Sequence, residues 1–441
     1  MNLKKILIKN YPERLYSLVT FAGETASAFG FNAYLVGGCV RDILMNQGSK
    51  DIDIALVPTE FHAGANIKGE TPRKGETPRK GETSRKGETS REGRAGIIRR
   101  LNGMAAVIKR KYKGSQLKAH PEFGTLSLFL PGGRLSRSNP LSHSVARVDF
   151  AIARRERYPS AGSLPAVDFP ADIKADLLRR DFTINSIAVC LSGGPSGEVL
   201  DFYGGIKDIR DKKINVLHPR SFIDDPTRIL RAIRFAGRLG FGVGGNTGRL
   251  LTDAVRKNYP GKVSQERITN EFLLAIGEPD APHILKLFSK YDINNAIWRE
   301  LLAGLPGLRK GKGSVLSGMS RLCTVDARLC LLLRVALPGR GSQGIKNFLR
   351  KIKVRRETVR RITGVFEYMS GARQDVLPLW ASEFFRIAGF KKPSVLITGH
   401  DLLKEGFTPG PLFKKILSDV RANASLKTKR GALEYINKKY R

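Results

Sequence analysis

Cysteine is scarce in this chain of 441 residues: Cys39, Cys190, Cys323 and Cys330 are all there is, with no CxxC pair and no Cys/His grouping at zinc-ligand spacing. A disulfide-stapled scaffold and a zinc ribbon are thereby excluded, and a reducing, cytoplasmic setting is expected. Long apolar runs are lacking too. The run beginning at Cys330 stops far short of the roughly 20 residues a membrane span needs, and Asn10, Pro12 and Glu13 break the basic start before an apolar leader forms. No membrane partner is expected. Neither a GxxxxGK[ST] loop nor an HRD/DFG set occurs, which removes the common GTPase and kinase readings. Acidic residues are the last shortage: 40 Asp plus Glu face 77 Lys plus Arg, for a net charge of +37. Such an excess predicts a polyanionic partner sooner than a neutral metabolite.

The charge is unevenly placed. Residues 301–441 hold 29 basic and 9 acidic side chains, so about a third of the chain carries over half of the excess. From Lys68 to Arg91 the hexamer KGETPR or KGETSR runs four times with no apolar residue, which predicts a disordered insertion over 68–94 in an otherwise compact domain. Around it the texture is strand-rich. Phe31 to Val36 is apolar, Gly37-Gly38 reads as a tight turn, Val40 to Met45 opens a helix, and Asp51 to Val57 alternates as a strand. Thr125 to Leu130, Val145 to Ile152 and Thr183 to Val189 are further strand or buried candidates. After residue 200 the pattern becomes helical, with stretches at Asn246 to Asn258, Ser264 to Ile276, Ala281 to Phe288, Ser317 to Val335, Gln343 to Lys351 and Arg356 to Met369. The expected class is α+β: a strand-rich, catalytic-looking unit over residues 1–200, then helices over 201–300 and a basic helical stretch over 301–441.

The chemistry concentrates in four places. In a strand, Asp51 and Asp53 share one face about 6 to 7 Å apart, close enough to converge on hard divalent ions such as Mg²⁺. Gly37 and Gly38 let the backbone pass beneath a triphosphate, and the helix that follows offers N–H groups to anionic oxygen. Asp149, in a second strand-like run, is the candidate third carboxylate. In RRDFTINSIA, Arg180 offers forked donors to phosphate, Asp181 is placed to orient it or a ribose hydroxyl, and Asn185 is placed for the ribose; a structural ion-pair network explains the same letters. At DDPTR, Asp225 and Arg228 are i and i+3 neighbours that can accept from an exocyclic amine and donate to a ring atom, or form an ordinary helix-start ion pair; Arg231 and Arg234 continue the basic side.

LVGGCVRD, DID, RRDFTIN, DFYGGIKDIRD, DDPTRILRAIRFAGRLGF and QERITNEF follow one another in that order. Together they resemble the class II nucleotidyltransferase family of bacterial tRNA CCA-adding enzymes, their CC-adding and A-adding relatives, and bacterial poly(A) polymerases. The resemblance covers roughly residues 20 to 275 without the insertion, and GHDLLKEGFTPGPLFKKIL is similar to the tail of the tRNA-directed members. It implies that Asp51 and Asp53 hold the catalytic metal and that Gly37, Gly38, Arg41 and Asp42 shape the triphosphate site. It implies further that Arg180, Asp181 and Asn185 hold ribose and phosphates, that Asp225 and Arg228 pair with the incoming CTP or ATP, and that Glu266 and Arg267 brace a neck. The chain departs from the pattern in having Asp224-Asp225 where Glu-Asp is usual, YPSAGSLPAVD where many members carry a DGR-type loop, and the hexamer insertion. The resulting expectation is a Mg²⁺-dependent enzyme that adds all or part of CCA to the 3′ end of tRNA from CTP and ATP. The alternatives are poly(A) synthesis and a non-catalytic RNA-binding role.

Overall fold

The computed structural model describes residues 13–47, 51–61, 91–130, 147–291, 301, 318–370, 377–390, 397, 399–423, 426 and 428–440. The hexamer array lies outside the described residues, except that Arg91 already opens a helix. The chain divides into two compact units, Met1–Arg228 with Gly240–Asp253, and Ile229–Leu239 with Ala254–Arg441.

The first unit is built on a seven-stranded mixed sheet in the order β3-β4-β5-β2-β1-β8-β9. Its strands are β1 (Phe31–Val36), β2 (Asp51–Pro58), β3 (Gln116–His120), β4 (Thr125–Phe129), β5 (Arg147–Ile152), β8 (Ala188–Cys190) and β9 (Val199–Leu200). All pairings are antiparallel except β2 with β5, which run parallel. Strand periodicity divides each strand between two faces. One face carries Ile52, Ile54, Leu56, Val148, Phe150 and Ile152 against Leu18, Val19 and Ala22 of α1 (Glu13–Ala28) and Leu101, Met104 and Ile108 of α3 (Arg91–Lys111). Each such large side chain fully removed from water contributes on the order of 1.5 to 3 kcal/mol. The other face carries Tyr34, Val36, Ala55 and Val57, covered by Ile173 and Leu177 of α4 (Ile173–Leu178). Asp53 and Asp149, nearer the starts of β2 and β5 and outside that cluster, are only half-buried.

Thr183 to Val189 is not one strand. Thr183–Asn185 forms a 3-10 turn and only Ala188–Cys190 pairs. Side chains compete with the ladder here: Thr183 Oγ1 donates to Asp208 Oδ2 and Asn185 Nδ2 to Asp181 Oδ1. A two-stranded hairpin, β6 (Arg155–Arg157) with β7 (Ala166–Asp168), stands beside the sheet. The first unit also contains α2 (Gly38–Leu44), α5 (Gly205–Arg210), the parallel pair β10 (Lys213–Ile214) with β11 (Gly242–Val243), and α6 (Ser221–Asp224).

The division between the units falls within α7 (Thr227–Leu239), whose stripe Ile229, Leu230, Ile233 and Phe235 is buried and which stops before Gly240 at φ 66°. α8 (Gly245–Arg256) follows. The second unit is helical: α9 (Gln265–Gly277), α10 (Ala281–Lys290), α11 (Val325–Ala336), α12 (Ser342–Lys351), α13 (Arg356–Met369), α14 (Ala381–Ile387), α15 (Gly399–Lys404), α16 (Pro411–Ala422) and α17 (Lys429–Tyr440). α11 starts at Val325 rather than near Ser317 because the Thr324 side chain accepts from Ala327 N and caps it there. At Gly237 a Cβ would stand 2.4 Å from Ile284 Cγ1, so only glycine lets α7 approach α10 this closely. The tail helices close a small core of their own from Leu402, Ile416, Val420, Ala432 and Ile436. No helix among the described residues is long and apolar enough to cross a membrane.

Candidate active site

Gly37 ends β1 with φ 81° and ψ −146°, a conformation essentially restricted to glycine. A Cβ there would stand 2.9 Å from Arg180 Nη1 and 3.2 Å from Asp53 Oδ2, so a cation and a carboxylate flank the same point above the turn. Asp53 is the register partner of Val36 on one side and of Asp149 on the other. Parallel neighbours at one register position sit about 4.8 Å apart on the same face, which makes Asp53 and Asp149 a side-by-side pair of oxygen donors. Asp149 also accepts from Ser127 Oγ and from Arg147 Nε at 3.0 Å. Asp51 pairs with Arg147 in the same register, and its side chain lies outside the described set. Among the described residues no trio of His, Cys, Asp or Glu is gathered for a metal, but the Asp53–Asp149 row has the hard-oxygen character that Mg²⁺ takes. Cys39, below the turn, is no nucleophile: burial and then the Asp53 charge push its thiol up to about 12.

The second group of expected residues forms one buried chain of hydrogen bonds. Arg41 holds Asp42 Oδ1 through Nε at 2.8 Å and Nη2 at 2.6 Å, and its Nη1 donates to Asn185 Oδ1 at 2.6 Å. Asn185 Nδ2 in turn donates to Asp181 Oδ1 at 2.9 Å, which also accepts from Phe182 N. These four polar side chains tie the helix after the glycine turn to the 3-10 turn at Thr183. The turn is therefore held from behind by a network whose members satisfy one another.

Arg180 is oriented by a residue that the motif letters do not single out. Asp176, 1% exposed, accepts Arg180 Nη2 at 3.0 Å through Oδ2 and takes Arg179 Nε at 3.0 Å and Arg154 N at 3.2 Å through Oδ1. Burial alone would raise the Asp176 carboxyl, but the two guanidiniums hold it below the usual carboxylate range. Arg180 Nε is buried without a hydrogen-bond partner, an orphaned donor on the guanidinium whose Nη1 stands over Gly37. An anion reaching this point would satisfy it.

The pair at the helix start is built differently from an i, i+3 side-chain couple. Asp225 Oδ1 accepts Thr227 N at 3.1 Å and Thr227 Oγ1 at 2.6 Å, capping α7. Arg228, 4% exposed, donates from Nη1 to Ser221 Oγ at 2.8 Å and from Nη2 to Arg179 O at 2.7 Å. Tyr158, which the sequence reading passed over, has its ring centroid 5.9 Å from the Arg228 guanidinium carbon. Only its place next to the missing DGR-type loop could have drawn notice to it. Arg231 belongs to the second unit, where it pairs with Glu271 Oε1 at 3.3 Å beside Arg234.

Over residues 33–86 and 125–215 the chain matches the family described as Poly A polymerase head domain. It is 35% identical over 284 residues to an A-adding tRNA nucleotidyltransferase of Aquifex aeolicus, covering 63% of this chain and 28% of that protein. To the A-adding tRNA nucleotidyltransferase of Halalkalibacterium halodurans it is 26% identical over 431 residues, 90% of this chain and 85% of the other. The chain spans about a quarter of the length of the first curated relatives it matches. A solved tRNA nucleotidyltransferase complexed with a primer tRNA and an incoming ATP analog shares the fold with a TM-score of 0.52 at 26% identity, over 95% of this chain and 98% of that one.

Proposed function

Because the chain belongs to the class II nucleotidyltransferase family, we propose that it is a tRNA nucleotidyltransferase that adds the terminal adenylate to a 3′ end already carrying CC. The observation that carries the reaction class is the meeting of Arg180 Nη1 and Asp53 Oδ2 above Gly37, with Asp149 beside Asp53 in the strand register. The choice of adenylate rests on the relatives from Aquifex aeolicus, Geobacter sulfurreducens and Halalkalibacterium halodurans, all named A-adding tRNA nucleotidyltransferases.

In the reaction the 3′-hydroxyl of tRNA attacks the α-phosphate of ATP, and the bond to the β-phosphate breaks with release of pyrophosphate. Asp51 and Asp53, with Asp149 alongside, would hold Mg²⁺, which supplies charge neutralisation and eases ionisation of the attacking hydroxyl. Gly37 lets the phosphates approach the backbone, and Arg180 donates to them from Nε and Nη1. The Asp42–Arg41–Asn185–Asp181 chain keeps that turn rigid. Asp225 accepts from the adenine amine while Arg228 donates to the ring nitrogen beside it, so the protein reads a base edge without a nucleic-acid template. The exposed basic side chains of the second unit offer a surface for the tRNA backbone.

The family description Poly A polymerase head domain favours a second reading, repeated AMP addition to RNA at large. Purified protein offered tRNAs ending before CCA, after C and after CC, plus an unrelated RNA, with ATP and CTP singly and together, separates the two. The proposed activity gives one AMP on the CC-ended tRNA alone. Incorporation of CMP would widen the function to CC or CCA addition, repeated AMP on any RNA would make it a poly(A) polymerase, and no incorporation at all would leave an RNA-binding protein.

A further inference from the structure

We infer that Tyr158 is a specificity-determining positioning residue: its ring face, fixed by Glu156, holds the Arg228 guanidinium in the one orientation that reads the base. The inference rests on the base-reading role of Arg228 proposed above and goes beyond it by assigning a residue that none of the motifs contains.

Three contacts surround Arg228. Ser221 Oγ takes Nη1, the Arg179 carbonyl takes Nη2, and the Tyr158 ring stands 5.9 Å from the guanidinium carbon. The two hydrogen bonds hold two corners of the group, and a π face on a third side disfavours rotation out of it, since a cation is attracted to the ring centre. The ring is itself anchored. Tyr158 Oη donates to Glu156 Oε2 at 3.1 Å, while Glu156 Oε1 accepts from Arg154 Nη2 and Arg179 Nη1, both at 3.0 Å. Glu156 is thus held in a nearly buried ion cluster, and the ring cannot leave Arg228 without breaking a bond to that cluster.

The hairpin that carries Tyr158 is fastened to the same helix start at a second point. Gly162 N donates to Asp224 O at 3.4 Å, immediately before Asp225. The loop YPSAGSLPAVD, which departs from the DGR pattern, therefore does not hang free of the base-reading pair; it lays an aromatic ring on one member and a backbone bond beside the other. A guanidinium held on three sides presents its remaining donors in a fixed direction, and direction decides between the ring-edge patterns of adenine and cytosine.

The test compares kcat/KM for ATP and CTP on a CC-ended tRNA in four proteins: wild type, Tyr158→Leu, Tyr158→Phe and Arg228→Ala, each first checked for an unchanged melting temperature and tRNA affinity. Leucine keeps apolar bulk at the hairpin and removes the π face; phenylalanine keeps the face. Tyr158→Leu is expected to lower the ATP/CTP preference about tenfold, as a desolvated cation–π contact allows, and Tyr158→Phe, which keeps the face and loses its bond to Glu156, to lower it by only about two- to threefold. An unchanged preference in Tyr158→Leu beside an altered one in Arg228→Ala overturns the role of Tyr158 and leaves the base reading standing. A Tyr158→Phe protein as indiscriminate as Tyr158→Leu overturns the role of the ring face. An unchanged preference in Arg228→Ala overturns the base reading and this inference with it. Should Tyr158→Leu fail to fold, Tyr158→His, which keeps a ring of smaller and charge-sensitive face, replaces it, with loss of preference expected below the imidazole pKa and an unchanged preference at low pH counting against the inference.

Discussion

Asp53 and Asp149 occupy opposite positions in the register of the parallel pair β2 and β5, so two carboxylates separated by 96 residues of chain stand in neighbouring strands on the same face. Replacing either by asparagine keeps the shape and removes the charge. Asp53→Asn and Asp149→Asn are each expected to cut AMP incorporation by about 100-fold or more while leaving tRNA affinity within about twofold, since in the proposed reaction the transferred phosphate and not the RNA backbone meets them. Labelled-nucleotide turnover and tRNA titration on the same preparations check this; a fully active Asp149→Asn protein removes the third carboxylate from the chemistry.

Gly37→Ala puts a Cβ 2.9 Å from Arg180 Nη1 on a backbone with φ 81°. The variant is expected to lose roughly 1 to 3 kcal/mol of stability and most of its turnover, because both the turn and the space above it are used. Denaturant unfolding together with steady-state kinetics measures the two losses, and wild-type turnover in this variant shows that no phosphate approaches the turn.

Asp176 holds the Arg180 guanidinium through Oδ2, so in the proposed reaction its effect on nucleotide runs through Arg180. Asp176→Asn is expected to raise the KM for ATP about tenfold, Arg180→Ala by a similar factor, and the double variant by little more than either alone, the signature of one shared interaction. A double variant whose effect is the product of the singles shows that Asp176 only supports the fold.

His218 is held below the ordinary imidazole value of 6.5, first by burial and then by the Arg228 charge. Below that pH the unfolded chain binds the proton more readily than the folded one, so this group makes stability fall as pH drops through and below 6.5. In His218→Gln the difference in melting temperature between pH 7.5 and pH 5.5 is expected to shrink; an identical difference in both proteins removes His218 from the pH dependence.

Around the end of α12, Ile352 and Val354 are buried while Lys351, Lys353, Arg355 and Arg356 are exposed, so the chain is anchored by its apolar residues and turns its charges outward. Charge reversal at these four positions is expected to weaken tRNA binding and to flatten its salt dependence, each lost phosphate contact taking about 0.7 to 0.9 from the log–log slope. Titration at several salt concentrations decides; an unaltered slope places the tRNA path elsewhere.

Much of the first unit was legible in the residues. The alternation of Asp51 to Val57 marks a strand because period 2 sends Ile52, Ile54 and Leu56 into one core and Asp53 to the other face. The helix Arg356–Met369 is likewise read from its own spacing of apolar residues. Thr183 to Val189 is buried throughout, one of the two readings its letters allow, and its first half is no strand because side-chain hydrogen bonds to Asp208 and Asp181 replace the ladder there.

Local spacing and residue chemistry are enough for the strands Phe31–Val36 and Asp51–Pro58, for the glycine at a turn only glycine can make, and for the carboxylates and guanidiniums available to the site. The tertiary structure alone decided the partners. Asp149 reaches Asp53 only through strand register, and Tyr158 meets Arg228 because a hairpin folds back over a helix start. Each of these pairings joins groups whose chain separation or local geometry carries no periodic signal, so packing of the sheet, and not the letters, selects them.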